Sequence, residues 1–235
     1  MKESIRENLI TIHNRMKNAC AFTNRNPDEV RLVLATKTVS AENIKIALDC
    51  GEYTIAENKV QELKEKFEDL KDTSHETHFI GHLQTNKIKE VLKYASCIQS
   101  VDRIELAEKL DKRLQFEGRS MDILLQVNTS FEESKFGIAP ENAVAFARQL
   151  SHLDTLHLNG LMTIGLFSSE KEKVRKCFQL LKNIQQQIIE LDLPNLKMEI
   201  LSMGMSNDLE VAIEEGSTMI RIGTAIFGKR KFPDS

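Results

Sequence analysis

Arg31-Leu-Val-Leu-Ala-Thr-Lys-Thr38 is the stretch from which the fold can be read. Five of the six residues after Arg31 are apolar or β-branched, and Ile44, Ala47 and Leu48 then take up a helical spacing. The pattern predicts a buried strand followed by a helix. Lys37 stands at the downstream end of that strand. Burial disfavours an ammonium and leaves a nucleophilic amine, which makes Lys37 a candidate for imine formation with an aldehyde. A lysine whose head simply reaches solvent from a strand end fits the same pattern.

Upstream, Ile5, Leu9, Ile12 and Met16 are spaced four, three and four, one stripe of a helix within residues 1–24, and Asn26-Pro27-Asp28 ends it. Downstream, strand-like runs recur at 53–56, 78–81, 97–101, 122–128, 156–164, 198–202 and 219–223. Helical stripes separate them, among them 84–94, 170–191 and 208–215. Eight strands alternating with helices predict an α/β fold, a (β/α)8 TIM barrel. An open doubly wound sheet is the alternative. The expectation is a single domain over 1–235 with an extra N-terminal helix and no separate β domain. No helix is expected after the last strand, so the N-terminal helix would fill that place in the outer ring.

Composition narrows the function. With 41% hydrophobic residues, 235 residues can bury an ample core. The net charge is −3 and the basic residues are dispersed, so neither nucleic acid nor an anionic membrane is implied as partner. Cys20, Cys50, Cys97 and Cys177 form no C-x-x-C pair and the first residues hold no apolar signal core, which points to reduced thiols and a cytoplasmic location. No apolar run approaches the roughly 18 residues of a membrane span. The six histidines form no H-E-x-x-H spacing, so no metal site is expected.

In a barrel of this kind chemistry gathers at the C-terminal ends of the strands. Lys37, Glu57, Asn58, His82, Ser100, Asp102, Asn128 and Ser206 all fall there. Ser202-Met-Gly-Met-Ser206 combines two hydroxyls with a glycine that lets backbone approach a ligand, and Ser206 is expected to cap the next helix. Gly223 and Thr224 add donors after the last strand, where this fold usually holds phosphate. A phosphorylated ligand follows, with plain tight turns as the alternative. Arg221 and Gly223 share a face by alternation. If that face is the lumen, Arg221 is a buried cation that needs an acceptor, either a pyridine nitrogen or a carboxylate such as Glu199 or Glu215.

The stretches Ala35-Thr-Lys37-Thr, Glu57-Asn58 with Val60-Gln61-Glu62, His78-Phe-Ile-Gly81, Ser100-Val-Asp102, Glu133-Ser-Lys135, Gly160-Leu-Met162 and Leu201 through Gly228 span nearly the whole chain. Together they resemble the pyridoxal phosphate homeostasis proteins, single-domain barrels related to the N-terminal domain of alanine racemase. The resemblance implies pyridoxal 5'-phosphate (PLP) held by Lys37 as an internal aldimine, with Arg221 facing its pyridine nitrogen. Ser206 and the backbone of Gly223 and Thr224 would hold the phosphate, and Asn58, Ser202 and Met162 would line the pocket. Ala56 departs from the family, which usually has glycine there. Lys135, in a polar loop with nothing evident to depress its pKa, is a weaker imine candidate than Lys37.

By this resemblance the chain would store or deliver PLP, with PLP-dependent apoenzymes as partners, as a monomer or weak homodimer. It would do so without substantial turnover, hence without catalytic residues. The related racemases take a second acid/base, a tyrosine, from a β domain of the partner subunit. This chain runs to Ser235 without such a domain and offers only Tyr53 and Tyr94. The alternatives are a racemase-like enzyme using Lys37 as base and an imine-forming aldolase acting on a phosphorylated sugar.

Overall fold

The computed structural model describes residues 2–193 and 196–228. Eight parallel strands close into a barrel in chain order: β1 (Arg31–Ala35), β2 (Thr54–Glu57), β3 (Glu76–Phe79), β4 (Cys97–Val101), β5 (Met121–Gln126), β6 (Leu156–Met162), β7 (Leu196–Ser202) and β8 (Met219–Ile222). Closure comes from β1 pairing with β8, Leu32 opposite Ile220 and Leu34 opposite Ile222. An open sheet is thereby excluded.

The period of two decides which side chains face the lumen. Leu32, Leu34, Ile220 and Ile222 point outward into one apolar cluster, whereas Val33 and Met219 meet inside the barrel. Ala56 joins Val33 and Met219 there and is fully buried. Continuing the alternation of β1 brings Lys37 to the lumen side.

The outer ring consists of α2 (Ala41–Leu48), α3 (Val60–Leu70), α4 (Ile88–Val91), α5 (Ile104–Glu117), α6 (Ala143–Leu150), α7 (Lys171–Ile189), α8 (Leu209–Glu214) and α9 (Thr224–Phe227). Two expectations need correction. A helix does follow the last strand, the single turn α9, and the segment 84–94 is not one helix. It is a 3-10 turn, Thr85–Lys87, followed by the one-turn α4, although Ile88, Val91 and Leu92 are buried as their spacing predicts.

Around β8 the ring is thin, because α8 and α9 are both short. The N-terminal helix α1 (Lys2–Phe22) covers this side, lying against α2, α8 and α9. Its buried stripe is Ile5, Leu9, Ile12, Met16, Ala19 and Cys20, worth on the order of 10 kcal/mol of apolar burial as an upper estimate. Polar pins fix the register: Asn8 donates to Ile226 O at 2.9 Å, and Arg15 forks onto Glu210 at 2.6 and 2.8 Å. Among the described residues no helix is long and apolar enough to cross a membrane.

Strands β6 and β7 leave no room for a side chain at Gly160. An ideal Cβ on Gly160 would lie 1.9 Å from Ile200 O, where the register between these strands shifts. Gly160→Ala must therefore push the strands apart, and we expect a loss of about 3 kcal/mol in a denaturant titration. Wild-type stability in this variant would contradict the strand placement.

Candidate functional site

The C-terminal mouth of the barrel opens into a cleft of about 1110 Å³. Lys37 after β1, Asn58 after β2 and Met162 at the end of β6 line it. Ser206 after β7, Arg221 on β8, and Gly223 and Thr224 after β8 complete the set of candidates on its wall. Ser202, the remaining candidate, is fully buried directly behind Arg221.

Arg221 is only 5% exposed and lies on the lumen side of β8, as alternation with the outward Ile220 and Ile222 requires. Its Nη1 donates to Ser202 Oγ and its Nη2 to Thr163 O, each at 2.7 Å. Neither Glu199 nor Glu215 reaches it; Glu215 is taken by Arg175. Burial pushes the guanidinium pKa down to about 10, an effect that the charge of Asp208 opposes. It remains a cation at neutral pH, facing the cleft.

Below Arg221 a hydrogen-bonded column descends the lumen. Ser202 donates to Gln99 Oε1 at 2.7 Å, and the Gln99 amide donates to His78 Nδ1 at 2.7 Å. With Nδ1 accepting, the neutral imidazole carries its proton on Nε2, which lies 3.6 Å from Glu76. Hydrogen bonding to His78 holds Glu76 below the usual carboxylate range, and Arg31 closes the column at 3.0 Å. The column thus runs from the cleft to the opposite end of the barrel.

The loop after β7 differs from the sequence expectation. Ser206 does not cap α8. Asp208 occupies the N-cap position, and its carboxylate turns back to accept the Met205 N–H at 2.5 Å. Burial raises the Asp208 pKa. Ser206 is left on the cleft wall, with Glu210 directed away to Arg15. Gly204 needs its φ of +97°, and a Cβ there would meet Ala212 at 2.5 Å. At the neighbouring turn a Cβ on Gly223 would sit 2.8 Å from Ala35 O, so only glycine lets this backbone pass so near the end of β1.

Other polar residues at the strand ends serve the loops. Asn128 donates to Glu132 O and Lys135 O. Ser100 holds Gly81 O at 2.6 Å, and Gly81 in turn lets its loop touch Asn58. Lys135 forms a close ion pair with Glu132 and donates to Gly165 O, so it is tied down rather than exposed. His82 does face the cleft, stacked on Phe136 at 4.0 Å and 3.7 Å from Asp102. Tyr53 is 50% exposed and Tyr94 packs on Phe67; neither lines the cleft. Among the described residues no cluster of three His, Cys, Asp or Glu side chains could hold a metal ion. Sequence reading missed Gln99 and Thr163, although a glutamine at an inward position of a buried strand is a usable signal.

A closed barrel with an amine, a buried guanidinium and hydroxyl-bearing loops around one mouth belongs to the ligand-binding (β/α)8 barrels. The family described as alanine racemase, N-terminal domain, matches residues 3–231. A pyridoxal phosphate homeostasis protein of Aquifex aeolicus is 40% identical over 226 residues, 96% of this chain and 98% of that one. Its Escherichia coli K12 counterpart is 36% identical over 231 residues, 97% of each chain. PipY of Synechococcus elongatus, solved with PLP bound, has a TM-score of 0.84 at 32% identity, covering 95% of this chain and 100% of that one. An alanine racemase of Clostridium difficile shares the fold, with a TM-score of 0.79 at 17% identity, and this chain covers 97% of itself against 57% of that one. The chain belongs to the alanine racemase N-terminal domain family and, within it, to the pyridoxal phosphate homeostasis proteins.

Ser202→Ala would leave both the Arg221 Nη1 donor and Gln99 Oε1 without their partner. We expect a loss of about 2 kcal/mol, read by calorimetry as a melting point lower by roughly 4–8 °C. An unchanged melting point would mean that the column carries no stability.

Proposed function

We propose that this chain binds PLP at the C-terminal mouth and serves in PLP homeostasis, holding the cofactor as a Schiff base on Lys37 without substantial turnover. The observation that carries the reading is Arg221, a buried cation on the cleft lining, held from behind by Ser202 Oγ and Thr163 O and with no carboxylate in direct contact among the described residues. An acceptor such as a pyridine nitrogen suits it. Asn58 adds a second fit: it lines the cleft, and its Oδ1, an acceptor, is buried with no hydrogen-bond partner among the described residues. The Ser206 hydroxyl and the backbone of Gly223 and Thr224 are the groups for the phosphate, Met162 gives the apolar wall, and Ser202 steadies Arg221 from behind. The relatives named for PLP homeostasis, and PipY with PLP bound, support the same assignment.

PLP supplies an aldehyde for the lysine amine and a ring that can accept electrons. Arg221 works against the second property, since a guanidinium scarcely gives up a proton and leaves the ring nitrogen unprotonated. Both tyrosines lie away from the cleft, so neither is a proton donor opposite Lys37. We accordingly assign storage and delivery, with PLP-dependent apoenzymes as recipients and a monomer or weak homodimer as the working form. The buried, unpaired thiols of Cys20, Cys97 and Cys177 suit a reducing compartment, the cytoplasm.

Titration with PLP is expected to develop a visible imine absorbance that saturates at one equivalent and is lost in Lys37→Ala. Incubation with L-alanine should leave its enantiomer ratio unchanged. An imine band that survives Lys37→Ala would overturn the assignment, and racemisation lost in Lys37→Ala would select the racemase reading.

A further inference from the structure

The backbone on either side of Lys37 is held by a buried ionic cluster outside the barrel. Lys66, on α3, donates to Thr36 O at 2.8 Å, to Glu57 Oε1 at 2.6 Å and to Glu62 Oε2 at 2.9 Å. All three of its protons are thereby used. The Thr36 hydroxyl lies 2.6 Å from the same Glu57 oxygen, and the Thr38 N–H donates to Glu62 Oε2 at 2.7 Å. Thr36 O belongs to the peptide unit before Lys37, and the Thr38 N–H to the one after it. The Lys66 ammonium and the Glu62 carboxylate therefore grip the two peptide planes that flank this residue, and Glu57 holds the ammonium and the Thr36 side chain in place.

The cluster stabilises a conformation the chain would not adopt unaided. Thr38 has φ +64°, in the left-handed region where a β-branched residue is an outlier. Glu57 is 1% exposed, and its Oε2 has no hydrogen-bond partner among the described residues. A buried ion pair with an orphaned oxygen is a poor source of stability, because desolvation offsets the Coulomb gain. What it does supply is fixed geometry, with Glu62 and Lys66 one helical turn apart on a rigid element.

We propose that Glu57, Lys66 and Glu62 are positioning residues that aim the Lys37 amine into the cleft, and so set how readily it forms an imine. The inference rests on the PLP reading above. It requires that their loss slow imine formation while leaving non-covalent recognition intact, since none of the three lines the cleft.

The test uses two probes on the full chain. Stopped-flow absorbance follows imine formation with PLP, and calorimetric titration with pyridoxine 5'-phosphate, which lacks the aldehyde, reports the pocket alone. In Glu57→Gln and Glu62→Gln we expect imine formation about tenfold to a hundredfold slower, with pyridoxine 5'-phosphate affinity unchanged. Lys66→Arg, which keeps a cation and several donors, should recover much of the rate that Lys66→Met loses. Wild-type imine rates in the folded variants, or equal losses for both probes, would overturn the proposal. Should Glu57→Gln fail to fold, Glu62→Gln, at the better-hydrated end of the cluster, decides alone. A wild-type protein that formed no imine would instead refute the PLP assignment itself.

Discussion

Arg221 is a cation that does not readily shed its proton inside a closed barrel, and much of the lumen is arranged to satisfy it. Thr163 O and Ser202 Oγ accept two of its N–H groups. Ser202 then needs an acceptor of its own and finds Gln99, which in turn meets His78. A lumen that could have been filled with aliphatic side chains instead carries a polar column down to Glu76 and Arg31. Each member is costly to bury alone and inexpensive when the chain is complete. This is why the residues behind the cleft matter as much as those on its wall.

Strand β1 joins this interior to the outer ring. Its inward positions lead to Lys37, while its outward ones, Leu32 and Leu34, anchor it under α1 and α2. The same alternation that gives the core its layers gives the mouth its amine. At the far side, α8 and α9 are short, so the loops after β7 and β8 are shaped by Gly204, Gly223 and Asp208 rather than by long helices. The stripe of α1 supplies the burial those helices lack.

Local patterns made the fold legible. Ile5, Leu9, Ile12 and Met16 read as one stripe and are one stripe, and Arg221 with Gly223 read as one face because β8 alternates strictly. Less legible was whatever depends on distant partners. Ser206 looked like a cap, but α8 starts later, with Asp208 at the N-cap position, and the Asp208 carboxylate caps no helix N–H but turns back to accept from Met205 N. Gln99 and Thr163 carried no motif; Gln99 joins the site because β4 aims it at Ser202, and Thr163, just after β6, joins through its backbone carbonyl on Arg221. Glu57 was visible as a strand-end carboxylate, yet its partner Lys66 lies nine residues on, across a helix. Lys37 itself stood out as a strand-end lysine, and only the family resemblance separated it from a lysine that merely reaches solvent.

We propose that Lys37, which lines the same cleft as Arg221, is the one amine that takes PLP. Borohydride reduction of the purified protein after incubation with PLP, followed by peptide mass mapping, tests it directly. A phosphopyridoxyl group on Lys37 alone is the predicted result. Label scattered over surface lysines or concentrated on Lys135, or no label at all, would contradict it.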